Sequence, residues 1–297
     1  MSVGIMPERE RPTPAATPGA WQARASMAIF RGMQTRLVMG SQWGRWLVGG
    51  VCGVFLLVAA SAQPIVAAAS DLRYPLEEIA RAFEKQTGQA VRLSFGSSGA
   101  YFTQIRQGAP FALFMSADEA YVEALHAQGL TRDAGELYAI GRLALLAAHG
   151  SALSVDAALV GLAERLRRGE LRRFAIANPA HAPYGRRAEE ALRHAGLWAA
   201  IGPHLVLGEN VSQAAQFALS GAADGGVVAL SLAISPQMSR LGRHALIPET
   251  WHTPLRQRMV LLKAADAGAE SFYRYLQTPP ARAVMRRYGF RLPGETP

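Results

Sequence analysis

Cysteine is almost absent from this chain: one residue in 297, Cys52, and none after position 62. A disulfide framework and thiol chemistry are thereby excluded from the main body of the protein. The signatures of several enzyme classes are missing as well. No Walker A run and no G-x-G-x-x-G occurs, which removes the common phosphate and dinucleotide cradles. The histidines at 126, 149, 181, 194, 204, 244 and 252 stand singly, without H-x-x-x-H spacing and without clustered carboxylates. Each reads as an ordinary surface or core residue, and His181, close to a P-Y-G turn, is the one with a site nearby. The stretch F-G-S-S-G-A at 95–100 lacks the last glycine of a G-x-S-x-G nucleophile elbow, because Ala100 stands there. An exported serine hydrolase using Ser97 or Ser98 is therefore only a remote alternative. The chain also shows no internal repeat and no low-complexity linker.

Charge of one sign is in excess, with 31 Lys and Arg against 22 Asp and Glu. Six arginines and two glutamates fall within residues 1–62, which leaves 25 basic and 20 acidic side chains and a net charge of +5 for the rest. That remainder is spread over helical faces such as E-R-L-R-R-G-E-L-R-R-F, so a solvated face is the reading and nucleic acid is not a partner.

Residues 46–60, WLVGGVCGVFLLVAA, form an uncharged apolar run preceded by Arg36 and Arg45 and followed by Ala60, Ser61 and Ala62. These are the n-region, h-region and A-x-A site of a secretory signal peptide, placed at about 39–62 with cleavage after Ala62. A retained membrane anchor is the competing reading, and Gln63 and Pro64 interrupt it. Residues 1–38 lie outside the signal's pattern, as an over-long start or a disordered arm, since Met27, Met33 and Met39 are each better placed to begin it. The sequence predicts export to the periplasm.

From Ile65 onward, short apolar runs alternate with segments of helical period, the pattern of an α/β protein with mainly parallel sheets. L-E-E-I-A-R-A-F-E-K-Q-T-G puts Leu76, Ile79, Ala80 and Phe83 on one face and stops at Gly88. A first β-α run extends to about residue 127 and a second follows R-L-A-L-L-A-A. Two lobes are predicted, residues 63–144 with 232–297 and residues 145–231.

Four segments share one layout of strand, short polar or glycine-containing turn, and helix. Their turns carry Ser70; Ser97 and Ser98; Tyr184 and Gly185; and Asn210, Val211 and Ser212. Each helix start offers unpaired N–H groups and a partial positive charge of about half an elementary unit. Singly, such residues are ordinary N-caps. Brought together, they would surround a small anion with hydroxyl and N–H donors alone.

In their order and spacing, AAASDL, FGSSGA, GAPFALFMSADEAYVEAL, ANPAHAPYGRRAEEAL, GENVSQAAQFALSGAADGGVVALS and FYRYLQTPPARAVMRRYGF resemble the periplasmic molybdate-binding proteins that feed molybdate ABC transporters. The resemblance covers nearly all of residues 64–291. It implies a type II periplasmic binding fold, in which two α/β lobes close on one tetrahedral dianion, molybdate or tungstate. It further implies a monomeric, non-enzymatic receptor with no cofactor, delivering its anion to a membrane permease. The implied ligands are the hydroxyls of Ser70 and Ser98 and the N–H groups of Tyr184 and Val211. The N–H of Asp71 is a further candidate, with Ser97 and Asn210 as shaping or capping neighbours. Molybdenum is implied only as the oxyanion, held through those same residues. Two departures stand out: Ala229 occupies the place where many relatives carry a tyrosine hydroxyl, and Ala112 stands where an aspartate is common. Sulfate on the same fold is the alternative within the binding class. If the leader is read correctly, the exported protein begins at Gln63, which an intact-mass measurement of periplasmic material checks; a mass retaining residues 46–62 would establish the anchor instead.

Overall fold

The computed structural model describes residues 63–295, so the signal-peptide reading lies outside the described residues. Ten strands are present among them: β1 (Ile65–Ala69), β2 (Arg92–Gly96), β3 (Leu113–Ser116), β4 (Glu136–Gly141), β5 (Leu143–Ala148), β6 (Phe174–Ala177), β7 (Leu205–Gly208), β8 (Gly225–Ala229), β9 (Gly242–Leu246) and β10 (Leu255–Leu261). The helices are α1 (Arg73–Thr87), α2 (Ser98–Arg106), α3 (Glu119–Ala127), α4 (Val160–Arg167), α5 (Pro183–His194), α6 (Trp198–Ile201), α7 (Val211–Ser220), α8 (Leu230–Ala233), α9 (Ala267–Leu276) and α10 (Pro279–Arg287).

The strands form two sheets of the same topology, ordered β2-β1-β3-β10-β4 and β7-β6-β8-β5-β9. In each, the first three strands are parallel and the other two pairings are antiparallel. The expectation of mainly parallel sheets is thus corrected to mixed ones. Helical crossovers generate the parallel strands, but the strands that carry the chain between lobes arrive without a helix. Only Arg142 separates β4 in one sheet from β5 in the other.

The predicted return to the first lobe at residue 232 is also corrected. β9 pairs with β5, from Ala144 opposite Leu246 to Ala148 opposite Gly242, so the chain leaves the second sheet only after Leu246. Its sequence, Gly-Arg-His-Ala-Leu, is polar and partly exposed, and pairing rather than local pattern makes it a strand. β4 escapes a reading by periodicity for a similar reason, as an edge strand opening on an exposed Glu136.

Strand alternation builds the first lobe's two core layers. Val66 and Ala68 face one side of the sheet with Leu113, Met115 and Met259, while Ala67 faces the other with Phe114 and Val260. On the first side α1 presents Leu76, Ile79 and Phe83 and ends at Gly88, whose φ of 69° only glycine adopts without strain. Phe83 meets Phe272 edge-on with ring centroids 5.1 Å apart. Among the described residues no helix is long and apolar enough to cross a membrane. Truncation at this aromatic contact, Phe272→Ala, is expected to destabilise the protein by about 3–5 kcal/mol, read as a lowered urea midpoint by circular dichroism.

Candidate functional site

All four turns singled out from the sequence open at one place, the carboxyl ends of the parallel strands, where the lobes face each other. β1 runs into a 3-10 turn at Ser70–Leu72, β2 into α2, β7 into α7, and the loop after β6 into α5. Between them lies a small cavity lined by Ser70, Asp71, Ser97, Ser98, Tyr184 and Val211, together with alanines, glycine and proline, and no lysine, arginine or histidine is among its lining residues.

The first lobe contributes hydroxyls. Ser98 is fully buried, and its Oγ accepts a hydrogen bond of 2.9 Å from the Ala117 N–H. With that lone pair engaged, its proton remains free for a group in the cavity. Ser97 has a different task. Its side chain caps α2 by accepting from the Ala100 N–H at 3.3 Å, and its Oγ hydrogen-bonds His181 Nδ1 across the cleft at 2.8 Å. Ser70 Oγ accepts from the Ser212 N–H at 3.3 Å, and the Ser212 hydroxyl donates to the Ser70 carbonyl at 2.9 Å.

The second lobe contributes helix starts. Pro183 and Tyr184 open α5, and Val211 opens α7, so the Tyr184 and Val211 N–H groups have no acceptor within their own helices. Asn210, half-buried, accepts from the Ser212 and Gln213 N–H groups at 3.1 and 3.2 Å and caps α7 without lining the cavity. Ala229 is buried in register with Leu143 and does not line the cavity either. No hydroxyl enters from that position. A tyrosine hydroxyl comes instead from α5, since Tyr184 Oη donates to Asp71 Oδ2 across the cleft at 3.0 Å.

Asp71 is the centre of a buried polar hub that periodicity did not single out. Gln257 Nε2 donates to its Oδ2 at 2.7 Å, while Gln257 Oε1 accepts from Tyr138 Oη at 2.7 Å. Ser231 Oγ donates to the Asp71 carbonyl at 2.8 Å. Burial pushes the Asp71 carboxyl up to about 6, partly offset by the bonds from Gln257 and Tyr184 and by backbone N–H groups. The Tyr184 and Tyr138 hydroxyls are pushed well above their ordinary value, first by burial and then by the Asp71 charge. A β-bulge between Gln257 and Arg258 re-aims the strand at this point. Gly141 leaves the space, because a Cβ there would lie 2.3 Å from Tyr184 Oη. One signal for Gln257 was available in the sequence: it is polar at an inward position of β10, between buried Leu255 and Met259.

Contacts at the rim hold the lobes together. The Gly99 N–H donates to the His181 carbonyl at 2.9 Å, and Arg186 pairs with Asp118 at 2.9 Å with Arg187 behind it at 3.7 Å. His181 Nε2 lies 3.8 Å from Glu209, so Ser97, His181 and Glu209 superficially resemble a catalytic series. The Glu209 side chain is 80 % exposed, however, and orients nothing tightly, and the Ser97 oxygen is already a cap. These are closure contacts. Among the described residues no group of three or more His, Cys, Asp or Glu could hold a metal ion.

Two lobes of matching topology around a closed, donor-lined cleft define a solute receptor of the type II periplasmic-binding class. The chain belongs to the bacterial extracellular solute-binding protein family, whose model matches residues 65–291. It is 36 % identical over 237 residues to the molybdate-binding protein ModA of Rhodobacter capsulatus, covering 79 % of this chain and 90 % of that protein. To ModA of Azotobacter vinelandii it is 34 % identical over 257 residues, covering 86 % and 100 %. The solved Azotobacter vinelandii periplasmic molybdate-binding protein superposes with a TM-score of 0.71 at 35 % identity, over 78 % of this chain and all of the other.

Closure brings Gly99 so near His181 that a Cβ would sit 2.5 Å from the His181 carbonyl. Gly99→Ala is therefore expected to prop the cleft open. Small-angle scattering with saturating ligand should give a larger radius of gyration than the unsubstituted protein shows, with affinity lower by about tenfold or more, or ~1.4 kcal/mol.

Proposed function

We propose that the protein captures molybdate or tungstate in the periplasm and delivers it to the permease of an ABC transporter, acting as a receptor and not as an enzyme. The observation that carries this reading is the cavity itself. Ser70, Ser98, Tyr184 and Val211 are among its lining residues, with hydroxyls and helix-start N–H groups to offer, and no cationic side chain is among them. A tetrahedral dianion offers only acceptor oxygens, so hydroxyl and N–H donors satisfy it without countercharge. The partial positive charges at the starts of α5 and α7 add to the attraction. Ser70 and Ser98 come from one lobe and Tyr184 and Val211 from the other, so the anion belongs to both only when the cleft is shut. Binding and closure are therefore one event, on the microsecond to millisecond scale of hinge motions. The names of the relatives, similar over nearly their whole length, favour molybdate among the tetrahedral anions.

Isothermal titration of the exported chain with molybdate, tungstate and sulfate tests this directly. Binding of molybdate and tungstate at micromolar concentrations or below, with sulfate much weaker, is the expected result; absence of molybdate binding would overturn the proposal. Ser98→Ala should cost about 1.5–3 kcal/mol of binding, the worth of a hydrogen bond to a charged group. Ser97→Ala should act mainly through the α2 cap, at about 1 kcal/mol of stability. Equal losses of affinity in the two variants would show that the serines are wrongly divided.

A further inference from the structure

Asp71 is the one carboxylate lining the cavity, and its two oxygens are treated differently. Oδ2 receives both the Gln257 and the Tyr184 hydrogen bonds. Oδ1 is equally buried and no group satisfies hydrogen-bond geometry with it, the backbone N–H groups of Asp71 and Leu72 acting on the carboxyl only weakly. Buried polar atoms are rarely left so, and each one calls for an explanation.

Among the described residues no countercharge explains it. On α1, which follows the Asp71 turn directly, Arg73 is directed to Glu77 and over the Phe95 ring. From α5, Arg186 and Arg187 pair with Asp118, and from β10, Arg256 and Arg258 pair with Glu119. Arg142, after β4, donates to the Gly289 carbonyl, and His181 is engaged with Ser97. Glu136 and Arg92 lie at exposed ends of β4 and β2, while α7 and α8 carry no charged residue. The titratable neighbours in direct contact are therefore Tyr184, and Tyr138 through Gln257, both holding their protons.

A dianion placed in this cavity would meet a like-charged carboxylate with no cation between them. Two such charges in a site of low dielectric do not both persist, and the weaker acid takes a proton. We propose that Asp71 enters the anion complex as a neutral carboxylic acid, one proton being taken from solvent as the cleft closes and donated through Oδ1 to an oxygen of the anion. This rests on the oxyanion reading above and adds a specificity-determining donor to it. Because Oδ2 already accepts two hydrogen bonds, the proton belongs on Oδ1, and the unpartnered atom becomes the fifth donor that Ala229 does not supply.

Burial, net of the Gln257, Tyr184 and backbone hydrogen bonds that oppose it, has already lifted this carboxyl to about 6, and the arriving dianion acts in the same direction. A group whose pKa rises on binding makes binding take up protons in the window above its value in the empty site. Affinity is thus greatest below about pH 6 and falls with rising pH, by up to tenfold per unit, until the value in the complex is reached.

The test is titration of the exported chain with molybdate near pH 7 in buffers of different ionisation enthalpy, with dissociation constants measured from about pH 6 to 8. Uptake approaching one proton per anion, with weakening toward tenfold per unit, is expected. Asp71→Asn, which keeps the shape and supplies a donor without a titrating proton, should abolish the uptake and flatten the pH profile. Molybdate binding by the unsubstituted protein with no proton uptake and a flat profile would overturn this proposal while leaving the oxyanion reading intact. Uptake that survives in Asp71→Asn would overturn it equally. No binding at any pH would overturn the oxyanion reading and this proposal with it.

Discussion

Asp71 ties the two lobes together through a buried carboxyl that no cationic side chain among the described residues contacts. Leaving such a group unsatisfied is expensive, so the chain surrounds it with donors from distant segments: Gln257 from β10, Tyr184 from α5 and, on its main-chain oxygen, Ser231 from α8. Gln257 belongs to the same sheet as β1, whereas Tyr184 and Ser231 reach Asp71 from the second lobe, a reach that needs the lobes shut. The hub therefore sets where Ser70 stands relative to the starts of α5 and α7, and the closed geometry of the cleft follows from satisfying one buried acid. Space for the hub is reserved at Gly141, the last residue of the strand that hands the chain to the second lobe.

Around that hub the cleft uses groups that a helix leaves over. The first N–H groups of a helix have no partner inside it, and a cap satisfies only some of them. Asn210 takes the Ser212 and Gln213 N–H groups and leaves Val211 its own. Ser97 takes the Ala100 N–H, and Ser98 then turns its hydroxyl inward, held by Ala117. Capping residue and cavity residue are neighbours in sequence with different work. Rim contacts complete the arrangement: Gly99 against His181 and Asp118 against Arg186 make closure specific in register, since a side chain at Gly99 would collide with the backbone opposite.

Much of this was legible in the linear chain. The amphipathic face of α1, its stop at Gly88, the buried strands and the four strand-turn-helix layouts all rest on short-range rules, and the structure contains each of them. What escaped were features made by pairing at a distance. β9 is a strand because β5 lies beside it, and β4 borders its sheet as an edge with an exposed first residue, so neither carries a clean period of two. The sheets were expected to be mainly parallel because alternation of strand and helix signals crossovers, and it is silent about strands that pass between lobes.

Sequence by itself determined the class of most elements, β4 and β9 apart, and the chemistry available at their ends: serines, an asparagine cap and two helix starts, with no cysteine, no histidine cluster and no nucleophile elbow. Local propensity and side-chain inventory are properties of a few neighbouring residues, and a string of letters holds them fully. Tertiary structure alone decided that Ser70 meets Ser212, that Tyr184 sends its hydroxyl to the other lobe, and that Asp71 is buried with one oxygen satisfied and one not. The relations between lobes join segments 113 and 142 residues apart, and what brings them together is the packing of two lobes whose closure excludes water from the space between them.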